Sequence, residues 1–250
     1  MNNYPITVIF GGGGFIGRYL TRVLTKKNHR LIIPTRAPFQ KVYLKTQAPP
    51  GHIELIDFNP GNFSAMKESI ENADYVINLC GILFENRKQK FNTVHVEIPK
   101  SVAKLCSQAG VKKFIHVSAI GANKESKSKY QQSKFLGEEE AINNFDKTVI
   151  IRPSVVIGNE DNFTNLFAKL SLSPIIPVVN VNYKFEPIFV NDVARAILKA
   201  IETKNNEGKI YELGGGRVIS FGDMIKLILS TIGKKRIVAD VPMTLAKIQS

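Results

Sequence analysis

A doubly wound, parallel α/β sheet with a small C-terminal cap is the fold this sequence predicts, and three observations predict it. Short β-branched apolar runs alternate with longer amphipathic stretches through the first half, the pattern of βαβ units. The runs are almost wholly apolar, as strands are when helices cover both sheet faces. A glycine-rich turn joins the first run to the first amphipathic stretch.

In chain order, ITVIFG (6–11) reads as a buried strand, FIGRYLTRVLTKKN (15–28) as a helix and RLIIPTR (30–36) as the second strand. HIELIDF (52–58), DYVINLCG (74–81) and KFIHVSAIG (113–121) follow as strands, separated by helical segments over 63–71 and 91–108. Right-handed crossovers then all but force the doubly wound topology. After TVIIRPSVVIG (148–158) the pattern changes: Pro153, Pro174, Pro177 and Pro187 punctuate shorter segments, and the turn LGGG (213–216) precedes a helix over 220–233. We therefore expect a dinucleotide-binding domain over 1–158 and a smaller cap or substrate region over 159–250, interleaved with the sheet. MTLAKIQS (243–250) reads as a helix of two turns cut short, so the native chain is expected to continue beyond Ser250.

Composition narrows the function classes. A 44% hydrophobic content supplies a packed core and argues against disorder. Cys80 and Cys106 lie in apolar runs, which suits free thiols in a reducing compartment. His29, His52, His95 and His116 are scattered and no zinc-type spacing occurs, so no metal is expected. The N-terminus shows no secretory pattern, and no apolar run is long enough to span a bilayer. The net charge of +13 suits an anionic partner, either a phosphorylated ligand or an anionic membrane surface, while the dispersal of the Lys residues, often near Asn, favours a lysine-rich solvated surface. Nucleic acid is disfavoured, because no basic stripe interleaved with aromatics appears.

The turn VIFGGGGFIGRYL carries Gly11, Gly14 and Gly17 as G-x-x-G-x-x-G, and Gly12 also satisfies G-x-G-x-x-G. Between a first strand and its helix, such glycines permit the tight turn, backbone approach to a pyrophosphate and close helix–strand packing. The helix start, with Phe15 and Ile16, offers free N–H groups to phosphate. At the end of the second strand, where an NAD site would usually hold a carboxylate, stands Arg36. A guanidinium grips a 2′-phosphate that a carboxylate would repel, so NADP(H) is favoured over NAD(H). Asp57 could meet the adenine amino group or cap the following turn. Cys80 and Gly81 complete the candidate cofactor set.

The stretch VSAIGANKESKSKYQQSK (117–134) brings Ser118, Tyr130 and Lys134 into view as candidate catalytic residues. Tyr130 and Lys134 form Y-x-x-x-K, a spacing that stacks both on one helix face. A nearby ammonium would favour the phenolate and make Tyr130 a usable acid or base, and Lys134 could also bond a nicotinamide ribose. Ser118, at the carboxyl edge of the sheet, would orient a substrate carbonyl.

These motifs resemble the short-chain dehydrogenase/reductase superfamily of the extended or atypical, epimerase/dehydratase-like kind, built on a Rossmann fold. IIRPSVVIG is similar to its R-P-x-x-V-x-G strand and EPIFVNDVARAI to its V-x-D-V-A helix start. FGGGGFIGRYL, INLCGILFE, FNTVHVE, HVSAIGA, SKYQQSK, PIFVNDVA and YELGGG together resemble the bacterial relatives of the nucleotide-binding accessory subunit family of respiratory complex I, alpha subcomplex subunit 9. The resemblance implies a firmly held NADPH and a structural or assembly role beside complex I subunits. It implies a cytoplasmic chain, peripheral at the inner face of the cell membrane. Retention of Ser118, Tyr130 and Lys134 leaves a second class open, an active NADPH-dependent reductase or dehydrogenase of a lipophilic carbonyl or quinone-related compound. Pro34, close to Arg36, and the C-terminal region expected after Ser250 depart from the family pattern.

Overall fold

The computed structural model describes residues 4–59 and 63–241. The chain divides into two compact units, Met1–Pro153 with Asn191–Leu213, and Ser154–Val190 with Gly214–Ser250. Within the stretch 159–250 read as cap, residues 191–213 thus group with the first unit. The helix read at 243–250 lies outside the described residues.

The first unit is built on a seven-stranded sheet: β1 (Ile6–Phe10), β2 (Arg30–Thr35), β3 (Ile53–Asp57), β4 (Tyr75–Asn78), β5 (Lys113–Val117), β6 (Thr148–Pro153) and β11 (Ile210–Leu213). All pairings are parallel and the order is β11-β6-β5-β4-β1-β2-β3. The expected doubly wound topology is therefore present, and its order reverses between β1 and β4. Pro34 fits because the ladder to β1 ends at Val8–Ile32, before the proline, so no bond to β1 is lost.

The helices of this unit are α1 (Phe15–Thr25), α2 (Phe63–Ile70), α3 (Ile98–Ala109), α4 (Lys129–Asn144) and α6 (Val190–Glu202), the last from Asn191 onward. On one sheet face Val8, Phe10, Val76, Phe114 and Ile150 pack with Met66 and Ile70 of α2, Val102 and Cys106 of α3 and Ala141 of α4. Strand alternation sends Ile9, Ile77, Ile115 and Ile151 to the opposite face, where they are equally buried. Lys113 shares that face and ends under α6, donating to the Ala200 and Thr203 carbonyls (3.1 and 2.6 Å) and to Asn206 Oδ1 (2.6 Å). A cation there satisfies carbonyls that the helix end leaves unpaired.

Two segments differ from the sequence reading. Pro38–Gln47, read as neither helix nor strand, forms a 3₁₀ helix. The helix read over 91–108 opens as a π-helical turn, Asn92–Glu97, before α3. Pro99 explains it: without an N–H it cannot donate to the carbonyl four residues back, that of His95. The Ile98 N–H reaches Thr93 instead, an i−5 bond. Gly137 of α4 then packs on the His95 carbonyl, which fills the space a Cβ would need.

The second unit holds α5 (Asn162–Leu170) and α7 (Phe221–Thr231), with short ladders pairing β7 (Val156–Ile157) with β10 (Ile188–Phe189), β8 (Ile175–Val178) with β13 (Ile237–Asp240), and β9 (Lys184–Phe185) with β12 (Ile219–Ser220). Its own core gathers Phe167, Ile176, Val178, Met224, Ile225 and Leu229. Asp161 and Ser220 cap the two helices with their side chains. A pocket of about 370 Å³ opens between them, walled by Ile157, Ala168, Phe189, Met224 and Ile228.

Candidate functional site

The loops after β1, β2, β4 and β5 leave the carboxyl edge of the sheet around the point where strand order reverses, the position at which open α/β sheets bind ligands. Gly11 has φ of 76° and a Cβ there would lie 3.0–3.1 Å from the backbone of Leu79 and Cys80. The turn after β1 and the end of β4 are thus in direct contact, which brings Gly11 to Cys80. A Cβ on Gly17 would run into the Gly12 carbonyl, so α1 starts pressed against its own turn. Gly14 is the N-cap and has no side chain to bond the first-turn amides. Phe15, Ile16 and Gly17 therefore open the helix toward the edge without a side-chain cap.

Arg36 is exposed directly after β2, and Asp57 is exposed at the end of β3, in register with Thr35. Two cations escaped the sequence reading. The Lys41 stem, on the 3₁₀ segment, lies over Gly13, where a Cβ would meet it at 3.2 Å. Arg18 of α1 sets its guanidinium 5.0 Å from the Tyr43 ring centroid, with Nε buried and without a hydrogen-bond partner. No ion pair joins Arg18, Arg36 or Lys41 to a carboxylate among the described residues. Arg18 follows Gly17 directly, so its place on the first turn was readable, whereas Lys41 needed the unexpected 3₁₀ helix.

Ser118 and Lys134 meet at the end of β5: Lys134 Nζ donates to the Val117 carbonyl at 3.0 Å, and both residues are buried. The Ser118 hydroxyl is buried without a protein partner. Burial pushes the Lys134 ammonium down to about 8, against the opposing pull of Glu138 and Cys80. Tyr130 is half-buried, edge-on to His95 at 5.5 Å and to Phe91 at 5.9 Å. Its phenol is pushed up by burial. The lowering expected from Lys134 does not accompany it: burial acts alone on this phenol, and the Lys134 ammonium is engaged with the Val117 carbonyl. Burial also pushes the Cys80 thiol up to about 11, opposed by the charges of Lys134 and then Arg36. Asp57 makes no described contact with the other candidates.

Two histidines that look scattered in sequence converge behind this edge. The Ile82 N–H donates to His95 Nε2 at 3.0 Å, so Nδ1 carries the proton and donates to Ser133 Oγ at 2.9 Å. Ser133 in turn donates to the Tyr130 carbonyl at 2.8 Å. Gly81 faces the same ring, at 3.8 Å from a Cβ built on it. Asn78 accepts from the Cys80 N–H at 3.1 Å, and its amide nitrogen therefore donates to His116 Nδ1, also at 3.1 Å. Burial, then Lys134, holds His95 at about 3 and His116 well below the usual imidazole range, so both are neutral. His116 was findable, since it sits two residues before Ser118 on the same strand face. His95 was not, because its contacts depend on the π turn. Among the described residues no cluster of His, Cys, Asp or Glu could hold a metal ion.

A glycine cradle at the turn after the first strand of a doubly wound parallel sheet defines a Rossmann-type chain. Residues 7–214 match the model of the NAD dependent epimerase/dehydratase family, and the chain belongs to that family. It is 30% identical over 241 residues to mouse NADH dehydrogenase [ubiquinone] 1 alpha subcomplex subunit 9, mitochondrial, covering 95% of this chain and 64% of the relative. The chain thus spans under two thirds of that relative's length. A ceramide reductase of Caulobacter vibrioides is 26% identical over 200 residues, covering 79% of this chain and 61% of the reductase. Among solved structures, UDP-glucuronic acid 4-epimerase from Bacillus cereus in complex with NAD superposes with a TM-score of 0.82 at 20% identity, covering 95% of this chain and 87% of that one. No helix among the described residues is long and apolar enough to cross a membrane.

Proposed function

We propose that this chain holds NADP(H) in a structural or assembly role beside the respiratory chain, at the inner face of the cell membrane. The observation that carries the cofactor is the glycine cradle crossed by the Lys41 stem, with Arg18 on the first turn of its helix and Arg36 exposed after β2, none of the three paired to a carboxylate among the described residues. Gly11, Gly14, Phe15, Ile16 and Gly17 would take the pyrophosphate on backbone amides. Arg36 would take the 2′-phosphate, Asp57 the adenine amino group, and Cys80 with Gly81 would border the ribose and nicotinamide side, where Tyr130 and Lys134 complete the contact. Kinship with the complex I subunit supports respiratory-chain subunits as partners. Arg36→Glu should weaken NADPH roughly ten- to hundredfold, the worth of one charge-assisted contact, and NADH far less. Titration of both cofactors against both proteins checks this; equal loss for the two would remove Arg36 from the 2′ position.

A second reading, an active reductase of a lipophilic carbonyl or quinone-related compound, is favoured by one observation: a buried Ser118 hydroxyl without a protein partner beside Lys134. Bound nicotinamide would supply or accept a hydride. Ser118 would orient the carbonyl, Tyr130 would hold the transferable proton at Oη, and Lys134 would fix Tyr130 and the cofactor ribose. The likeness to a ceramide reductase supports a lipophilic substrate class. In a carbonyl screen followed by NADPH absorbance, Tyr130→Phe should abolish any turnover seen with wild type. Turnover that survives the substitution would exclude Tyr130 as the proton donor.

A further inference from the structure

We infer that the rim of this carboxyl edge is itself the membrane-docking surface, an anionic-lipid-binding lip made by the loops after β2 and β4. The inference rests on the peripheral membrane placement proposed above and names the residues that achieve it. On the 3₁₀ segment Phe39 is 92% exposed, and on the loop after β4 Leu83 and Phe84 are 71% and 73% exposed. Only β1 separates the two parent strands, so both loops rise from the same edge on either side of the glycine turn. Large apolar tips so exposed find no burial in the chain's own core.

The charges beside them identify the partner. Beyond Arg36 and Lys41, which the cofactor reading uses, residues 36–47 add Lys45 and no carboxylate, and residues 82–90 carry Arg87, Lys88 and Lys90 against Glu85 alone. Glu85 turns back to accept from the Phe91 N–H at 2.9 Å. The loop is also anchored at its start by the Ile82 bond to His95, and Asn86 closes its tip by accepting from the Lys88 and Gln89 amides, each at 2.8 Å. Leu83 and Phe84 are therefore displayed on a held loop rather than a free one. Separate apolar tips ringed by cations suit a headgroup layer, where rings and aliphatic chains reach the acyl boundary and ammonium and guanidinium groups meet lipid phosphates. The mouth of the site would then face the bilayer, from which a lipophilic compound could enter directly.

The test is sedimentation of the full chain with phosphatidylcholine vesicles, with and without phosphatidylglycerol. Wild type should pellet with the anionic vesicles and be released by salt. The double variant Leu83→Ser, Phe84→Ser should lose at least about tenfold in partition, the worth of one buried apolar side chain. Arg87→Gln with Lys88→Gln should lose roughly fivefold per charge removed. NADPH titration of the same preparations separates this inference from the cofactor reading, since none of these residues belongs to the cradle. Failure to pellet while NADPH still binds overturns the docking surface alone. Equal pelleting with both vesicle types, retention by both double variants, or capture only by a membrane protein freed of lipid also overturns it.

Discussion

Replacing Glu138 by Ala is expected to lower the unfolding free energy by about 3–5 kcal/mol, the range for breaking a buried ion pair on one side. Glu138 is 2% exposed and takes a two-pronged contact from Arg152 of β6, Nε to Oε1 at 3.0 Å and Nη2 to Oε2 at 2.7 Å. Arg152 also reaches Glu212 of β11 at 3.2 Å, so one guanidinium ties α4 to two neighbouring strands. Truncation removes the two-pronged partner and leaves that guanidinium only its single contact with Glu212, and it withdraws the carboxylate that opposes the depression of Lys134. Because α4 also carries Tyr130, cofactor affinity should fall along with stability. Urea denaturation read by circular dichroism measures the first effect. The double substitution Glu138→Leu, Arg152→Met should recover part of the loss, because apolar groups of similar volume need no desolvation of charge. A change under about 1 kcal/mol for Glu138→Ala would place the pair among weakly contributing surface contacts.

Gly17→Ala should abolish cofactor retention, with affinity down about a hundredfold from misplacement of the phosphate-binding turn, and should cost about 1–3 kcal/mol of stability through overpacking. The methyl group would have to occupy the position of the Gly12 carbonyl, within 2.6 Å of Gly12 Cα, and both neighbours are backbone that cannot rotate away. Gly13→Ala is the matched control. There the added carbon meets only the flexible Lys41 stem at 3.2 Å, so the loss should be much smaller. Thermal melts with and without NADPH report both quantities. Equal behaviour of the two variants would mean that the turn is looser than its packing implies.

Much of this architecture was legible because it is local. The strands at 6–10, 30–35, 53–57, 75–78 and 113–117 are apolar runs flanked by turn residues, and the glycine spacing stands next to the strand and helix that give it meaning. Ser118 and Lys134 meet at Val117 because a strand end and a helical spacing were both visible in one stretch. What could not be read depends on partners distant in sequence. The π turn over 92–97 follows from a proline at 99, yet the ring it aims, His95, finds Ile82 and Ser133 only once α4 has docked through Gly137. Lys41 crosses Gly13 only because residues 38–47 wind into a 3₁₀ helix that carries no clear apolar period. The rise of the Tyr130 phenol is likewise a burial effect, invisible in a Y-x-x-x-K spacing.

A site that selects the 2′-phosphorylated dinucleotide, as proposed, is read out by equilibrium titration of the wild-type chain with NADPH and with NADH, at low and at physiological salt. NADPH should bind tighter by roughly tenfold or more, with the margin narrowing as salt screens the exposed cations near the cradle. NADH binding as tightly as NADPH at both salt concentrations would contradict it.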